Sequence, residues 1–334
     1  MPRDSLLKPI AVFVLVIVLL VALAGVGGLL FGGGGGGGAG GSYSQQVPAQ
    51  YEPSSVVHEP DPETGEIDLD SDGERKTILI DTSHSNRIDR AGLEPVTDAL
   101  ARAGHSVHYS GVGDAGLGSG GLTNATLQQY DAILIAQPTS SFSAGEIAAL
   151  QTFADAGGRI AVLAEPTTSG SGGFGSQQVT ENVNGLTTSF GLRVMSDQLY
   201  NVNDTGNDNN YKSIYAAASA DDPLTESAQR VSFDTSTYLV EMPRSSDIVT
   251  SGGPIKSLYT AVNGTQKLST RRTGEYTVAA RSGNLIVAAD ASFITAPEAY
   301  DVDNEQFITN VLEFLLAGDK PPDVPATPTD SGGF

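Results

Sequence analysis

The most constraining feature of this sequence is a regular alternation, between residues 77 and 190, of short apolar runs with amphipathic stretches. The apolar runs predict strands, and they are Thr77–Asp81, His105–Tyr109, Asp131–Gln137 and Arg159–Ala164. Stretches with helical spacing of apolar residues separate or follow them. Strands alternating with helices predict βαβ units with right-handed crossovers. The expected fold is therefore α/β, with a flavodoxin-like, doubly wound and mostly parallel sheet.

The clearest helix signal lies between the third and fourth predicted strands. Ser143 and Glu146 have the spacing of a capping box, and Gly157 ends the helical pattern. Residues of about 197–270 are richer in Asn, Asp, Ser and Gly and show no sustained helical period, which predicts an irregular, partly β insertion. Beyond this insertion we expect a hairpin and a closing helix that ends at Gly318.

An uncharged apolar stretch, Ile10–Phe31, precedes this region. At about 1.5 Å per residue it is about 33 Å long as a helix, which suffices for a hydrocarbon core of about 30 Å. Arg3 and Lys8 lie before it and no Lys or Arg follows until Arg75, so we expect a cytoplasmic N-terminus and an extracellular remainder. A cleaved signal peptide is the alternative, because Ala22-Leu23-Ala24 resembles a cleavage site.

These signals divide the chain into five parts. The expected order is a cytoplasmic N-terminus (1–9), a transmembrane helix (10–31), a Gly-rich and then acidic disordered linker (32–75), the α/β domain (76–319) and a disordered tail (320–334).

The composition excludes several classes of function. Asp and Glu number 39 against 18 Lys and Arg, and the net charge of −21 disfavours nucleic acid as a partner. The acidic excess is also typical of a protein from a salt-loving organism. The chain has no Cys, which excludes a cysteine nucleophile and thiolate metal sites. For an extracellular domain, Asn124, Asn203 and Asn263 are glycosylation candidates because each begins an Asn-x-Thr triplet.

Motifs at the predicted strand ends occur in an order that resembles one family. They are Ile80–Asn86, Ile135–Ser143, Ala164–Pro166, Asp221–Glu226 and Ala289–Phe293. From about Thr77 to Gly318 the chain resembles archaeal, and specifically haloarchaeal, membrane-anchored domains of unknown function in the class I glutamine amidotransferase-like superfamily. These domains are related to the GldG-type auxiliary proteins of ABC transporters. Asp222-Pro223-Leu224-Thr225 departs from the family, which usually has His-Pro-Leu-Thr there.

The resemblance implies an amidotransferase-like fold whose relatives of this kind mostly lack the catalytic triad. In the catalytic members a cysteine occupies a tight turn after a strand, and the next backbone N–H serves the oxyanion hole. The corresponding turn here is Ala164-Glu165-Pro166, which has no cysteine, and Pro166 has no N–H to donate. Amidotransfer chemistry is therefore not expected.

In an open α/β sheet, ligands bind beyond the carboxyl ends of the strands. That rule gathers one set of polar residues into a candidate ligand pocket: Asp81, His84, Ser85, Gln137, Ser140, Glu165, Asp290 and Ser292. The competing interpretation is that the three acids cap turns and helices, and that His84 is an ordinary surface histidine.

Three functions remain open from the sequence. The first is a non-catalytic, membrane-tethered binding or scaffold domain that acts with envelope or transporter-type protein partners. The second is a hydrolase or metal-dependent enzyme that uses Asp81, His84, Glu165 and Asp290. The third is an envelope glycan-binding module with Tyr200, Tyr211 and Tyr215. No complete signature predicts a catalytic residue, a cofactor or a metal site.

Overall fold

The computed structural model describes residues 63–70, 73–111, 121–166, 175–219, 221–243 and 249–321. The predicted N-terminal segment, the membrane span and nearly all of the C-terminal tail lie outside these residues. No helix within the described ranges combines the length and the apolar character needed to cross a bilayer.

Five parallel strands form one half of the main sheet. They are β1 (Thr77–Asp81), β2 (Ser106–Tyr109), β3 (Ala132–Ala136), β4 (Arg159–Leu163) and β13 (Leu285–Ala288). Their order is β2-β1-β3-β4-β13 and every neighbouring pair is parallel. This is the flavodoxin-type order, with the strand order reversing between β1 and β3, so the prediction of an α/β, flavodoxin-like fold is confirmed.

Helices cover both faces of this parallel half. They are α1 (Glu94–Arg102), α2 (Asn124–Leu127), α3 (Ala144–Asp155), α4 (Gly175–Thr187) and α5 (Asn304–Leu316). Leu100 of α1 and Val311 of α5 share one buried cluster with Ile78, whereas Leu150 of α3 shares the other with Leu79. Successive side chains of β1 thus enter opposite cores, as the period of two in a strand requires.

The predicted capping box of α3 is confirmed. The Ser143 hydroxyl accepts a hydrogen bond from the Glu146 amide, and the Glu146 carboxylate accepts one from the Ser143 amide at 2.9 Å. These bonds satisfy backbone donors that the first turn of any helix leaves free.

The segment predicted to be an irregular insertion instead continues the main sheet, which corrects the sequence interpretation. The remaining strands of the described residues are β5 (Leu192–Val194), β6 (Leu199–Tyr200), β7 (Ser213–Ala218), β8 (Arg230–Asp234), β9 (Leu239–Glu241), β10 (Ile255–Ala261), β11 (Gln266–Lys267) and β12 (Thr277–Ser282). Antiparallel strands extend the main sheet from β13 in the order β12-β10-β7-β8, and β9 pairs with both β12 and β5. The strands β6 and β11 form a separate two-stranded sheet. The small and polar residues of this region gave no strong pattern, yet Ile214, Ala216, Val231 and Phe233 alternate inward in β7 and β8.

The ends of the domain also differ from the expected boundaries. Ile67 and Leu69 lie in the predicted linker, but they are 2% and 7% exposed and belong to the core cluster that contains β1. At the other end, Lys320 is buried and its Nζ donates to the backbone oxygen of Gln128 at 3.0 Å. Ile67 and Leu69 are two residues apart, so an extended segment directs both side chains to the same face.

Candidate functional site

The loop after β1 brings Asp81 and His84 into a buried hydrogen-bonded pair. His84 Nδ1 lies 2.9 Å from Asp81 Oδ2, and its Nε2 lies 3.5 Å from Glu146 Oε1. The imidazole stacks on the Phe142 ring with centroids 4.0 Å apart. Only 4% of His84 is exposed, so the prediction of a surface histidine is wrong. Residues on α3 and in the loop before it cover the ring, which a local sequence pattern does not show.

Charge and hydrogen bonding favour the ionised forms in this group. Burial by itself raises the pKa of Asp81, but the hydrogen bond and charge of His84 outweigh it and the pKa falls below the usual value. Burial likewise lowers the pKa of His84, and the Asp81 bond together with the charges of Asp81 and Glu146 raises it overall. The imidazolium is therefore stabilised between two carboxylates.

The hydroxyl groups near His84 do not form a nucleophile-base arrangement. Ser83 Oγ lies 3.2 Å from His84 Nδ1, the same nitrogen that Asp81 contacts, and it donates to Asp81 Oδ1 at 2.7 Å. Ser110 Oγ also donates to Asp81 Oδ1 at 2.7 Å. A serine hydrolase needs its nucleophile and its orienting carboxylate on opposite ring nitrogens. Here the other nitrogen faces Glu146, so this group holds the loop in place and does not activate a serine.

Hydrogen bonds join the loops after β1 and β3, and each loop contains a residue with a positive φ value. Ser85 and Gln137 have φ values of 52° and 47°, in the left-handed region that side chains other than glycine seldom adopt. The backbone oxygen of His84 accepts hydrogen bonds from the amides of Thr139 and Ser140 at 2.9 and 3.0 Å. The exposed hydroxyl groups of Ser85 and Ser140 lie 3.5 Å apart. Gln137 is 7% exposed and contributes through its backbone, donating to Leu163 O at 2.8 Å.

A second acidic group surrounds the ends of β4 and β13. Asp290 is completely buried, and its Oδ1 accepts hydrogen bonds from the amide and the hydroxyl of Ser292 at 2.7 and 2.9 Å. Burial, and then the charge of Glu165, raise the pKa of Asp290. Burial, and then the charge of Asp234 at the end of β8, raise the pKa of Glu165 to about 7, although Arg87 opposes the shift. We call Glu165, Asp234 and Asp290 the edge acids.

The structure thus divides the sequence-predicted pocket into two groups at the same edge of the sheet. Asp81 and His84 lie in the first, Glu165, Asp290 and Ser292 in the second, and Ser85, Gln137 and Ser140 belong to the loops after β1 and β3. Asp81 and Asp290 each accept the amide two residues later, which agrees with the capping interpretation. In the described ranges no group of three His, Cys, Asp or Glu is arranged to hold a metal ion.

Sequence reasoning missed several members of these groups. Glu146 was recognised only as a helix cap. Ser110 directly follows β2 and Asp234 ends β8, and neither gave a signal because both are distant in sequence from the residues that they affect. Asn86 and Arg87 were the more accessible omissions, since Asn86 ends the motif Ile80–Asn86 and Arg87 directly follows it. Both residues lie in the loop after β1, and a position directly beyond a parallel strand is the signal that could have identified them.

The candidate glycan-binding tyrosines lie on and beside β6 and β7. The rings of Tyr200 and Tyr211 meet edge to face at 6.4 Å, and Tyr211 is 48% exposed. The ring of Tyr215 is covered by the Arg230 guanidinium at 3.6 Å, so it offers no free face for stacking on that side.

The three glycosylation candidates differ in exposure. Asn203 and Asn263 are exposed, whereas Asn124 is half-buried at the first position of α2. Thr265, which completes the third triplet, is fully buried and its hydroxyl accepts from Asn201 Nδ2 at 3.1 Å.

No protein-family profile matches this chain, and no curated protein matches it. Among solved structures, the mmIFT52 N-terminal domain is 16% identical, with a TM-score of 0.55 over 72% of this chain and 98% of that one. A ThuA-like protein from Parabacteroides merdae ATCC 43184 is 10% identical, with a TM-score of 0.45 over 75% and 94% of the two chains. The glutaminase domain of Trypanosoma brucei CTPS, solved with bound acivicin, is also 10% identical, with a TM-score of 0.34 over 71% and 94%.

The likeness to the mmIFT52 domain shows a shared fold and nothing about chemistry.

Proposed function

We propose that this chain is a non-catalytic, membrane-tethered extracytoplasmic binding domain that acts with envelope or transporter-associated partners. The observation that carries the proposal is the arrangement of His84. Both of its ring nitrogens face carboxylates, at 2.9 and 3.5 Å, and the ring is buried against Phe142. Because a carboxylate lies at each ring nitrogen, the imidazole has no free nitrogen that could accept a proton from a substrate or from Ser83.

The turn after β4 supports the same proposal. Glu165 and Pro166 follow β4 at the position where the resemblance places a catalytic cysteine. A carboxylate there can recognise a ligand, but the proline supplies no backbone N–H to stabilise an oxyanion.

The surface around this turn is suited to contact with a partner. Ser85, Arg87 and Ser140 are exposed at the carboxyl edge of the sheet. The loops that carry these three residues contain two positions with positive φ, Ser85 and Gln137. Strained loops on a rigid sheet commonly carry binding residues.

The finer family assignment belongs to the same proposal. The net charge of −21 and the apolar stretch Ile10–Phe31 support a haloarchaeal, single-pass membrane protein with its domain outside the cell.

Native membrane cross-linking and affinity capture of the full chain test the proposal. We expect specific partner proteins to be recovered with the wild type and to be lost with Arg87→Glu, which reverses an exposed charge at the carboxyl edge. Arg75→Glu is the matched control, since Arg75 is equally exposed but precedes β1 at the opposite edge. Recovery of the wild type without any partner, or equal loss in both variants, would contradict the proposal.

One observation favours a second candidate, an acid-base hydrolase. The pKa of Glu165 is about 7 and that of Asp290 is raised, and paired carboxyl groups of this kind serve as general acid and base. Turnover of an ester or glycoside substrate panel by the full chain, abolished by Glu165→Gln and retained by Arg75→Glu, would establish this function instead.

A further inference from the structure

The small sheet formed by β6 and β11 exposes apolar side chains on its outer face. Leu199 and Asn201 are fully buried, so the alternation of side chains along the strand directs Tyr200 and Val202 outward. Tyr200 pairs with Gln266 of β11, and its hydroxyl donates to Gln266 Oε1 at 2.6 Å, which places both side chains on the same face.

Leu268 and Tyr211 complete this surface. Leu268 lies two residues beyond Gln266, and its amide donates to the backbone oxygen of Gln198 at 2.7 Å, so it continues the pairing of the two strands. The Tyr211 ring lies against the Tyr200 ring, with centroids 6.4 Å apart. We call Tyr200, Val202, Tyr211 and Leu268 the β6–β11 patch.

The patch gathers most of the exposed large apolar side chains of the domain. In the described ranges there are four of these, and three belong to the patch: Val202 at 63%, Tyr211 at 48% and Leu268 at 49% exposure. The fourth, Val240, lies on β9. Single apolar side chains on a surface need no explanation, but a group of them indicates a contact surface.

The charges near the patch differ from those of the whole chain. Acidic residues outnumber basic ones by 39 to 18 in the sequence, whereas residues 266–273 contain Lys267, Arg271 and Arg272 and no acid. Lys212 adds a further positive charge, with its Nζ 5.8 Å from the centre of the Tyr211 ring.

Three acids lie within three residues of the patch in sequence, namely Asp197, Asp204 and Asp208. Asp197 Oδ1 accepts the Ser269 amide at 3.1 Å and so holds the turn after β11, and Asp208 Oδ1 accepts the Tyr215 hydroxyl at 3.2 Å. The basic and acidic residues here nearly balance. An anionic surface is therefore repelled less by the patch than by the domain as a whole.

Arg271 occupies a strained backbone position in the turn after β11. Its φ is 56°, in the left-handed region where glycine has no steric penalty. Its amide donates to the backbone oxygen of Lys267 at 2.8 Å, which closes the turn that contains Leu268. The turn thus carries an exposed guanidinium at a position where glycine would be less strained, and such positions cluster at binding surfaces.

The described part of the chain begins near the patch. Glu63 Oε2 accepts the Val302 amide at 2.7 Å. The preceding residue, Asp301, forms a side-chain hydrogen bond with Asp208, which lies three residues before Tyr211.

The proposed membrane tether joins the domain at this same place. Residues 32–62 separate Glu63 from the apolar stretch Ile10–Phe31, and a flexible linker of this length spans about 30 Å on average. A tether of this reach makes contact with the bilayer an intramolecular event, so a small contact surface is sufficient.

A bilayer surface matches these features. Aliphatic side chains enter the boundary between headgroups and acyl chains, tyrosine rings lie at the headgroup level, and lysine and arginine bind lipid phosphates. We propose that the β6–β11 patch docks on the bilayer that anchors the chain, with Val202, Tyr211 and Leu268 at the headgroup boundary and Lys212 and Arg271 on lipid phosphates. This inference rests on the membrane tether of the proposed function and names a surface that the tethered domain contacts.

The patch is less suited to a glycan. The rings of Tyr200 and Tyr211 are inclined at 83° and form no flat platform for a sugar ring. Val202 and Leu268 add aliphatic surface, which offers no hydrogen bond to a sugar hydroxyl.

Fluorescence quenching in vesicles tests the proposal. The chain has no cysteine, so Thr270→Cys, at an exposed position of the turn, carries a single nitrobenzoxadiazole label and leaves the patch intact. The full chain is reconstituted in vesicles of equal parts phosphatidylcholine and phosphatidylglycerol, with spin-labelled lipid as the quencher. Ser106→Cys, exposed on β2 at the other end of the main sheet, is the matched control. We expect quenching at Thr270 to be at least about threefold stronger than at Ser106.

Three variants of the Thr270-labelled chain locate the contact. Leu268→Glu should reduce the quenching at least about threefold, because it places a charge at the headgroup boundary. Arg271→Gly suits the left-handed backbone and removes the guanidinium, so it should reduce the quenching about twofold. Val240→Glu is the matched control and should leave the quenching unchanged, because Val240 is exposed outside the patch. Circular dichroism checks that each variant is folded.

Equal quenching at Thr270 and Ser106, or a folded Leu268→Glu variant that is quenched like its parent, would overturn the inference. A Thr270 label with blue-shifted emission but no quenching by lipid would also overturn it, because a second copy or another protein then covers the patch. Alkaline carbonate extraction checks the tether separately. Extraction of the chain from the vesicles contradicts the proposed tether and with it the inference, whereas a retained chain with an unquenched Thr270 label contradicts the docking alone.

Discussion

Replacing His84 by alanine should strongly destabilise the domain. The substitution leaves the Asp81 carboxylate, 1% exposed, with hydroxyl and amide donors but without its charged partner at 2.9 Å. Breaking a buried ion pair from one side costs about 3–5 kcal/mol. Loss of the ring stacked at 4.0 Å on Phe142 adds about 1 kcal/mol. Because the alanine side chain lets water approach Asp81, we expect a total loss of about 3–5 kcal/mol in the free energy of unfolding.

The same interaction predicts a pH dependence with a definite sign. The folded-state pKa of His84 lies above its ordinary value of 6.5. Its stabilisation is therefore complete below pH 6.5 and is lost as the pH rises through the raised pKa. The pKa of Asp81 lies below its ordinary value of 3.8, so its stabilisation is present above pH 3.8 and is lost as the pH falls through the lowered pKa. The pair should contribute most between about pH 4 and pH 6.5.

Urea unfolding of the full chain in detergent, followed by far-ultraviolet circular dichroism from pH 5 to pH 9, measures both effects. His108→Ala is the matched control, since His108 is exposed on β2 and its ring is 5.7 Å from that of Tyr130. We expect the control to lose less than about 1 kcal/mol. Equal losses for the two variants, or a His84→Ala variant that keeps the wild-type pH profile, would refute the reasoning.

Three further outcomes follow from other parts of the domain. The folded-state pKa of Glu165 is raised to about 7, so the free energy of unfolding of the wild type should fall by up to about 3 kcal/mol as the pH rises from 4.5 to 7. Glu165→Gln should remove this fall, and urea midpoints across the interval measure it. Ser143→Ala should cost about 1 kcal/mol by removing the cap of α3, measured as a lower urea midpoint with an unchanged slope. Phe307→Ala should cost about 3–5 kcal/mol, because the ring is fully buried and packs on Phe293 and Tyr259; thermal unfolding by circular dichroism checks this.

Local signals in the sequence are sufficient to predict the parallel half of the fold. Apolar runs such as Thr77–Asp81 and the capping box at Ser143 are local signals, read from neighbouring residues, and the structure reproduces them closely. Their alternation leaves few topologies, since parallel crossovers are right-handed and helices must cover both faces. The carboxyl edge of the sheet followed from the same argument.

The arrangement of the candidate site depends on contacts between elements that are far apart in the chain. His84 is buried because α3 and Phe142 pack over it. The charge of Asp234, at the end of β8, acts on Glu165 although the two residues are far apart in sequence. Pairings between elements so distant in sequence depend on strand register and on the packing of whole faces. No local period encodes them, which is why the sequence named the edge acids Glu165 and Asp290 but not the charges that tune them.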